Sequence, residues 1–169
     1  VTQSFFRLFW ARIMVKSKHL LIVYHSQSGT TRTMADAVIK GAKNPDINGV
    51  EIQVRDALEA SEDDVLWADG LLIGTQENFG YLSGALKYFL HLIYNPCEDK
   101  IDVMPYALFV CAGNDGTGAI KSITRILKGL AIKQIQEPVL IVGDVDDSQL
   151  NECEELGMIM AAVLESGIF

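Results

Sequence analysis

Basic residues are scarce in this 169-residue chain: fourteen lysines and arginines stand against twenty-two aspartates and glutamates, for a net charge of −8. That balance excludes a nucleic-acid surface built on phosphate neutralisation and leaves plain solubility or attraction to a basic partner. Cysteine is also sparse. Cys97, Cys111 and Cys153 are odd in number and lack metal-ligand spacing, which excludes a disulfide framework and a structural metal and points to a reducing, cytoplasmic setting. No apolar run is long enough to span a bilayer. The aromatic stretch around Phe5, Phe6, Phe9 and Trp10 is cut by Arg7 and Arg12 and lacks the small-residue cleavage site of a secretory signal. Met14-Val15-Lys16 looks like an ordinary protein start, so residues 1–18 are expected to be an N-terminal extension, from upstream translation or as a partner-binding tail. Residues 19–169 then form the domain. With 49% hydrophobic residues, the chain can bury the core of one domain and has little left for a second.

What is present concentrates at one point. The apolar run Leu20-Leu21-Ile22-Val23-Tyr24 stops at His25-Ser26-Gln27-Ser28-Gly29-Thr30-Thr31, and a helical pattern follows. Loop and first-turn N–H groups, hydroxyls and the helix dipole converge at such a junction, which makes it a seat for a phosphate. The lysine and wider glycine spacing of a nucleotide-triphosphatase loop are missing, as is the triple glycine of a dinucleotide fingerprint. The seat therefore suits a single monophosphate held by neutral donors, the competing reading being a plain helix cap.

Strand and helix patterns alternate along the rest of the chain. Val50–Arg55 alternates with period two and reads as an edge strand, Ser61-Glu62-Asp63-Asp64 as the cap of a short helix, and Gly70–Gly74 as an apolar third strand. Tyr106–Cys111 is the fourth strand and Val139–Val142 the strongest part of the fifth, which Pro138 interrupts. Five mostly continuous apolar strands separated by helices predict an α/β domain, a single doubly wound parallel sheet of order 2-1-3-4-5 with helices on both faces. Ligands in such sheets sit at the carboxyl ends of the strands, where the winding reverses, so the loops after strands one, three and four should meet.

Those loops hold the remaining chemistry. Gly74–Gly84 sets Phe79 and Tyr81 among glycines, suited to stacking a flat ligand or to plugging the sheet end. Cys111-Ala112-Gly113-Asn114-Asp115-Gly116-Thr117-Gly118 is suited to backbone contact with a ring or to a simple flexible turn. A phospho-receiver site is excluded, because the needed acids and lysine are replaced by Tyr24-His25, Gly74-Thr75 and Gly143-Asp144. A cysteine phosphatase is excluded as well, because Thr117 stands where Cys111 would need an arginine. His25 and His91 lack a sequence partner and read as structural.

Taken together, S-x-S-G-T-T after a strand, G-T-x-x-x-F-G-Y leading into L-S-G-A-L-K-Y-F, and C-A-G-N-D-G-T-G resemble the flavodoxin-like FMN proteins, a superfamily of flavodoxins, NAD(P)H:quinone oxidoreductases and FMN reductases. The resemblance covers His19 to about Gly167. It implies FMN as cofactor, with the phosphate held by Ser26, Gln27, Ser28, Gly29, Thr30 and Thr31. One side of the ring would be lined by Thr75, Gln76, Glu77, Asn78, Phe79 and Gly80, the other by Cys111, Ala112, Gly113, Asn114, Asp115, Gly116 and Gly118. It requires no catalytic acid or base and no metal, since the cofactor carries the chemistry. Acidic residues near the strand ends (Glu77, Asp115, Asp144, Asp146 and Asp147) are expected to lower the flavin's reduction potential and to attract a basic redox protein.

Two departures from the family pattern bear on function. No tyrosine lies between Cys111 and Gly118, where electron-carrier flavodoxins usually stack one on the ring. The extra segment of the larger quinone oxidoreductases is absent too, which tells against a close match to those enzymes, and the last strand lacks the long insertion of the larger flavodoxins, so a compact form is expected. The resemblance thus implies an oxidoreductase taking electrons from a pyridine nucleotide to a quinone-like acceptor. The alternatives are a one-electron carrier between proteins and a chain that has lost FMN. A homo-oligomer is compatible with any of them.

Overall fold

A computed structural model describes residues 17–169; the expected extension at 1–18 lies outside the described residues except for its last two positions, and Lys18 already opens the first strand. β1 (Lys18–Tyr24) fills the middle of the sheet, and Leu20, Leu21, Ile22 and Val23 are all inaccessible to solvent, as a strand covered on both faces demands. β2 (Val50–Asp56) lies at its edge, and β3 (Gly70–Asn78) runs parallel to β1 on the other side, pairing Tyr24 with Gly74. β5 (Met104–Ala112) follows β3 in register from Leu71 opposite Tyr106 to Gln76 opposite Cys111.

Side-chain alternation divides the core into two layers. Leu20, Ile22, Leu72 and Phe109 face α1 (Thr30–Ala42) and α5 (Asp147–Ser166). Leu21, Val23, Leu71, Ile73 and Leu108 face α2 (Glu62–Trp67), α3 (Gly84–Cys97) and α4 (Thr117–Leu127). Each large apolar side chain so buried contributes roughly 1.5–3 kcal/mol. The expected cap at Ser61 is a reciprocal box, in which the Ser61 hydroxyl accepts from Asp64 N–H and the Asp64 carboxylate accepts from Ser61 N–H. Asp146 and Gln149 make the same box at α5.

The five expected strands stand in the expected order, but the sheet has seven. The fifth is split: β6 (Ile132–Gln134) pairs with the start of β5 and β7 (Val139–Val142) with its end. Between them β5 advances from Tyr106 to Phe109 while the outer chain advances from Gln134 to Val139, so the surplus residues bulge out ahead of Pro138, which has no N–H to give the ladder. The second correction concerns the segment read as an open loop after Gly74. β3 continues to Asn78 and folds back as β4 (Tyr81–Leu82), pairing Glu77 with Leu82 and Asn78 with Tyr81. Phe79 and Gly80 make the two-residue turn, at φ 54° and 70°. Among the described residues, no helix is long and apolar enough to cross a membrane.

Candidate functional site

The carboxyl ends of β1, β3 and β5 lie side by side, and one cluster ties them together. Thr31 Oγ1, in the first turn of α1, donates to Gln76 Oε1 at 3.3 Å and lies 3.3 Å from Cys111 Sγ. The three loops that sequence alone assigned to one site thus meet at a hydroxyl, an amide and a thiol. Burial pushes the Cys111 thiol up, against a smaller opposing effect of the Thr31 hydroxyl, so it stays protonated and is no nucleophile. Gln76 keeps a donor in reserve, because its Nε2 is buried and has no hydrogen-bond partner. Such an orphan costs free energy unless a ligand completes it.

The first loop has the geometry of a seat. Gly29 caps α1 at φ 103°, a left-handed conformation that side chains resist, and offers no side-chain cap. Ser26 Oγ accepts from Gly29 N–H at 3.2 Å and Arg32 N–H at 3.1 Å, and Thr33 N–H bonds the Gly29 carbonyl. The capping interpretation therefore holds for Ser26. The first-turn N–H groups of Thr30 and Thr31 have no partner within the helix and remain for a ligand. No acid sits in that first turn. Ser26, Gln27, Gly29 and Arg32 line an open cavity of about 450 Å³ together with Tyr24 and Asp56. Arg32 is a cation that motif reading passed over; its signal was a basic residue directly after G-T-T.

The second and third loops are locked to one another. Glu77 Oε2 accepts from Ala119 N–H at 3.1 Å, and Asp115 Oδ1 accepts from Thr117 N–H at 3.0 Å and Thr117 Oγ1 at 2.9 Å. The Thr117 bonds hold the Asp115 carboxyl below its ordinary range. Both carboxylates thus serve the start of α4. Close approach completes the lock, since a Cβ on Gly118 would lie 1.8 Å from the Gly80 carbonyl oxygen. Phe79, at the hairpin tip, is fully exposed in a backbone conformation unusual for an aromatic residue, an outlier of the kind that collects at functional sites.

Not every expected residue presents its side chain. Thr75 is fully buried, donating to the Gln76 carbonyl and accepting from Ser83 N–H, and Thr31 turns its hydroxyl inward, so these two offer only backbone. Cys111 and Ala112 are buried in β5, whereas Gly113, Asn114 and Asp115 are exposed around open space. Ser28, Gln27 and Gly29 are exposed at the seat. His25 Nδ1 is buried without a hydrogen bond, 3.7 Å from the Asp56 carboxylate. Monophosphate donors at one end, an exposed aromatic and glycine-lined space at the other, and an unpaired amide donor between them form a set that fits a flat heteroaromatic cofactor with a phosphate tail.

Comparison with known proteins agrees. Residues 22–157 match the family described as flavodoxin. A flavodoxin of Aquifex aeolicus is 33% identical over 99 residues, covering 59% of this chain and 52% of that protein. An NAD(P)H dehydrogenase (quinone) of Acidithiobacillus ferrooxidans is 30% identical over 91 residues, covering 42% of this chain and 44% of the other. The chain thus spans about half the length of these curated relatives. Among solved structures, an archaeal flavodoxin superposes with TM-score 0.75 at 21% identity, covering 87% of this chain and 99% of that one. A WrbA-like flavodoxin from Agrobacterium tumefaciens gives 0.71 at 21% identity, covering 89% and 99%.

Proposed function

This chain belongs to the flavodoxin family, whose members bind FMN, and from that premise we propose that it is an oxidoreductase passing electrons from a reduced pyridine nucleotide to a quinone-like acceptor. Two electrons leave the nucleotide as hydride, and with one further proton they reach the quinone, which departs as hydroquinone. FMN supplies the hydride and single-electron chemistry when bound. The chain supplies position. The N–H groups of Thr30 and Thr31, with the hydroxyls of Ser26 and Ser28, would hold the phosphate; Gln76 Nε2 would donate to the cofactor, and Phe79 would cover one side of the ring.

One observation carries the enzyme reading. The connection from β5 to α4 runs Gly113-Asn114-Asp115-Gly116 with no aromatic side chain, so the ring side toward that loop stays open to a small-molecule substrate. A carrier between proteins is the second reading, favoured by the exposed acids Asp144, Asp146 and Asp147 at the same edge, which suit a basic partner. The two are separated by loading the chain with FMN and following NADH and NADPH oxidation with and without a quinone. Nucleotide oxidation that a quinone accelerates supports the enzyme; a yellow complex that oxidises neither nucleotide supports the carrier and contradicts the enzyme.

A further inference from the structure

Charge is distributed unevenly among the helices. α5 carries Asp147, Glu152, Glu154, Glu155 and Glu165 and no lysine or arginine. On the opposite face the acids Glu62, Asp63 and Asp64 are confined to α2, whereas α3 and α4 carry Lys87, His91, Lys121 and Arg125 and neither contains an aspartate or glutamate. Between these two helices lies a groove of about 310 Å³, into which Lys87, His91 and Arg125 project around an apolar lining of Leu90, Tyr94 and Ile126. The ion pairs among the described residues are made at His19, His25, Lys40 and Arg55, so the three basic side chains of the groove are uncommitted. Both helices start at the edge of the sheet that carries the Phe79 hairpin. Lys87 lies in the first turn of α3, and Arg125 lies about 12 Å along α4 at the helical rise per residue.

We infer that this groove binds the phosphate-bearing adenosine end of the pyridine dinucleotide, with Arg125 and Lys87 on the 2′-phosphate that distinguishes NADPH from NADH. The inference rests on the oxidoreductase reading. Guanidinium presents a planar fork matched to phosphate oxygens, and ammonium adds a compact charge. The apolar lining gives the adenosine a surface, and the length of the groove directs the other end of the dinucleotide toward the hairpin. In a chain of net charge −8, an anion finds few other places on the surface without repulsion.

The test uses the FMN-loaded chain and the exposed-site variants Arg125→Gln and Lys87→Gln, with steady-state oxidation of NADPH and NADH and calorimetric titration of NADP⁺ and NAD⁺. Arg125→Gln is expected to raise KM for NADPH and Kd for NADP⁺ about tenfold, with kcat and the NADH and NAD⁺ values unchanged. Equal shifts for both nucleotides, or none, overturn the groove while leaving the enzyme reading intact. If the wild type oxidises neither nucleotide, the enzyme reading fails; NADP⁺ binding that Arg125→Gln weakens still upholds the groove, and absent NADP⁺ binding overturns it.

Discussion

The starts of α1 and α4 look alike and use their donors in opposite ways. Each follows a buried strand, is capped by a glycine at positive φ (Gly29 at 103°, Gly116 at 67°) and opens with threonine. At α4 the N–H groups of Thr117 and Ala119 are taken by the carboxylates of Asp115 and Glu77. At α1 no acid enters the first turn, a single serine hydroxyl caps Arg32, and the helix dipole is left for an outside anion. The same strand–glycine–helix junction keeps its donors available to a ligand in one place and becomes a structural clamp where the chain supplies its own anions. The α4 clamp fixes the distance between the aromatic hairpin and the glycine loop, the two walls between which the ring would lie.

The sharpest way to break this contrast is to give α1 an acid of its own. Ser28→Asp sets a carboxylate beside the phosphate position, where like charges 4–6 Å apart cost roughly 3–4 kcal/mol at an effective dielectric near 20, more than a hundredfold in affinity. Fluorescence titration should show FMN binding lost, with the urea midpoint of the FMN-free chain little changed. Next in size is Gly118→Ala. Its Cβ would collide with the Gly80 carbonyl, so stability should fall by about 1–3 kcal/mol in urea unfolding and FMN affinity should fall with it as the hairpin is displaced. Glu77→Gln keeps an acceptor for Ala119 N–H but removes the charge, and should cost about 0.3–1 kcal/mol of stability, less at high salt.

The smallest effect is in pH. The Asp115 carboxyl is held below its ordinary value of 3.8 by its bonds to Thr117, so its stabilisation is complete above 3.8 and is lost as pH falls through the lower folded-state value. Acid unfolding of Asp115→Asn should accordingly be less steep in that window, whereas Ser26→Ala, at the acid-free start of α1, should leave the slope as in wild type.

Much of this arrangement was legible in the residues. The run Leu20–Val23 announces a doubly covered strand, Ser61 and Asp64 announce a capping box, and Ser26–Thr31 announces a glycine-capped helix start, because each signal is local. The hairpin was missed because its turn is Phe79-Gly80 rather than an asparagine–glycine pair, so nothing local marks a strand that folds back. The split of the last strand hinges on two surplus residues that only the register with β5 exposes. The Glu77–Ala119 bond joins positions 42 apart, and the basic groove is assembled from two helices whose charges are unremarkable taken singly. Acids read from the sequence as one charged rim divide in the fold into two that cap α4, one that caps α5 and others that remain free.

The central claim, that the start of α1 is the seat of the cofactor's phosphate, is tested most directly by comparing FMN with riboflavin, which lacks that phosphate. Hydrogen bonds to a charged group contribute about 1.5–3 kcal/mol each, so the wild-type chain should bind FMN at least about a hundredfold more tightly than riboflavin, and Ser28→Asp should abolish the difference. Equal affinity for the two flavins in the wild-type chain would contradict the account.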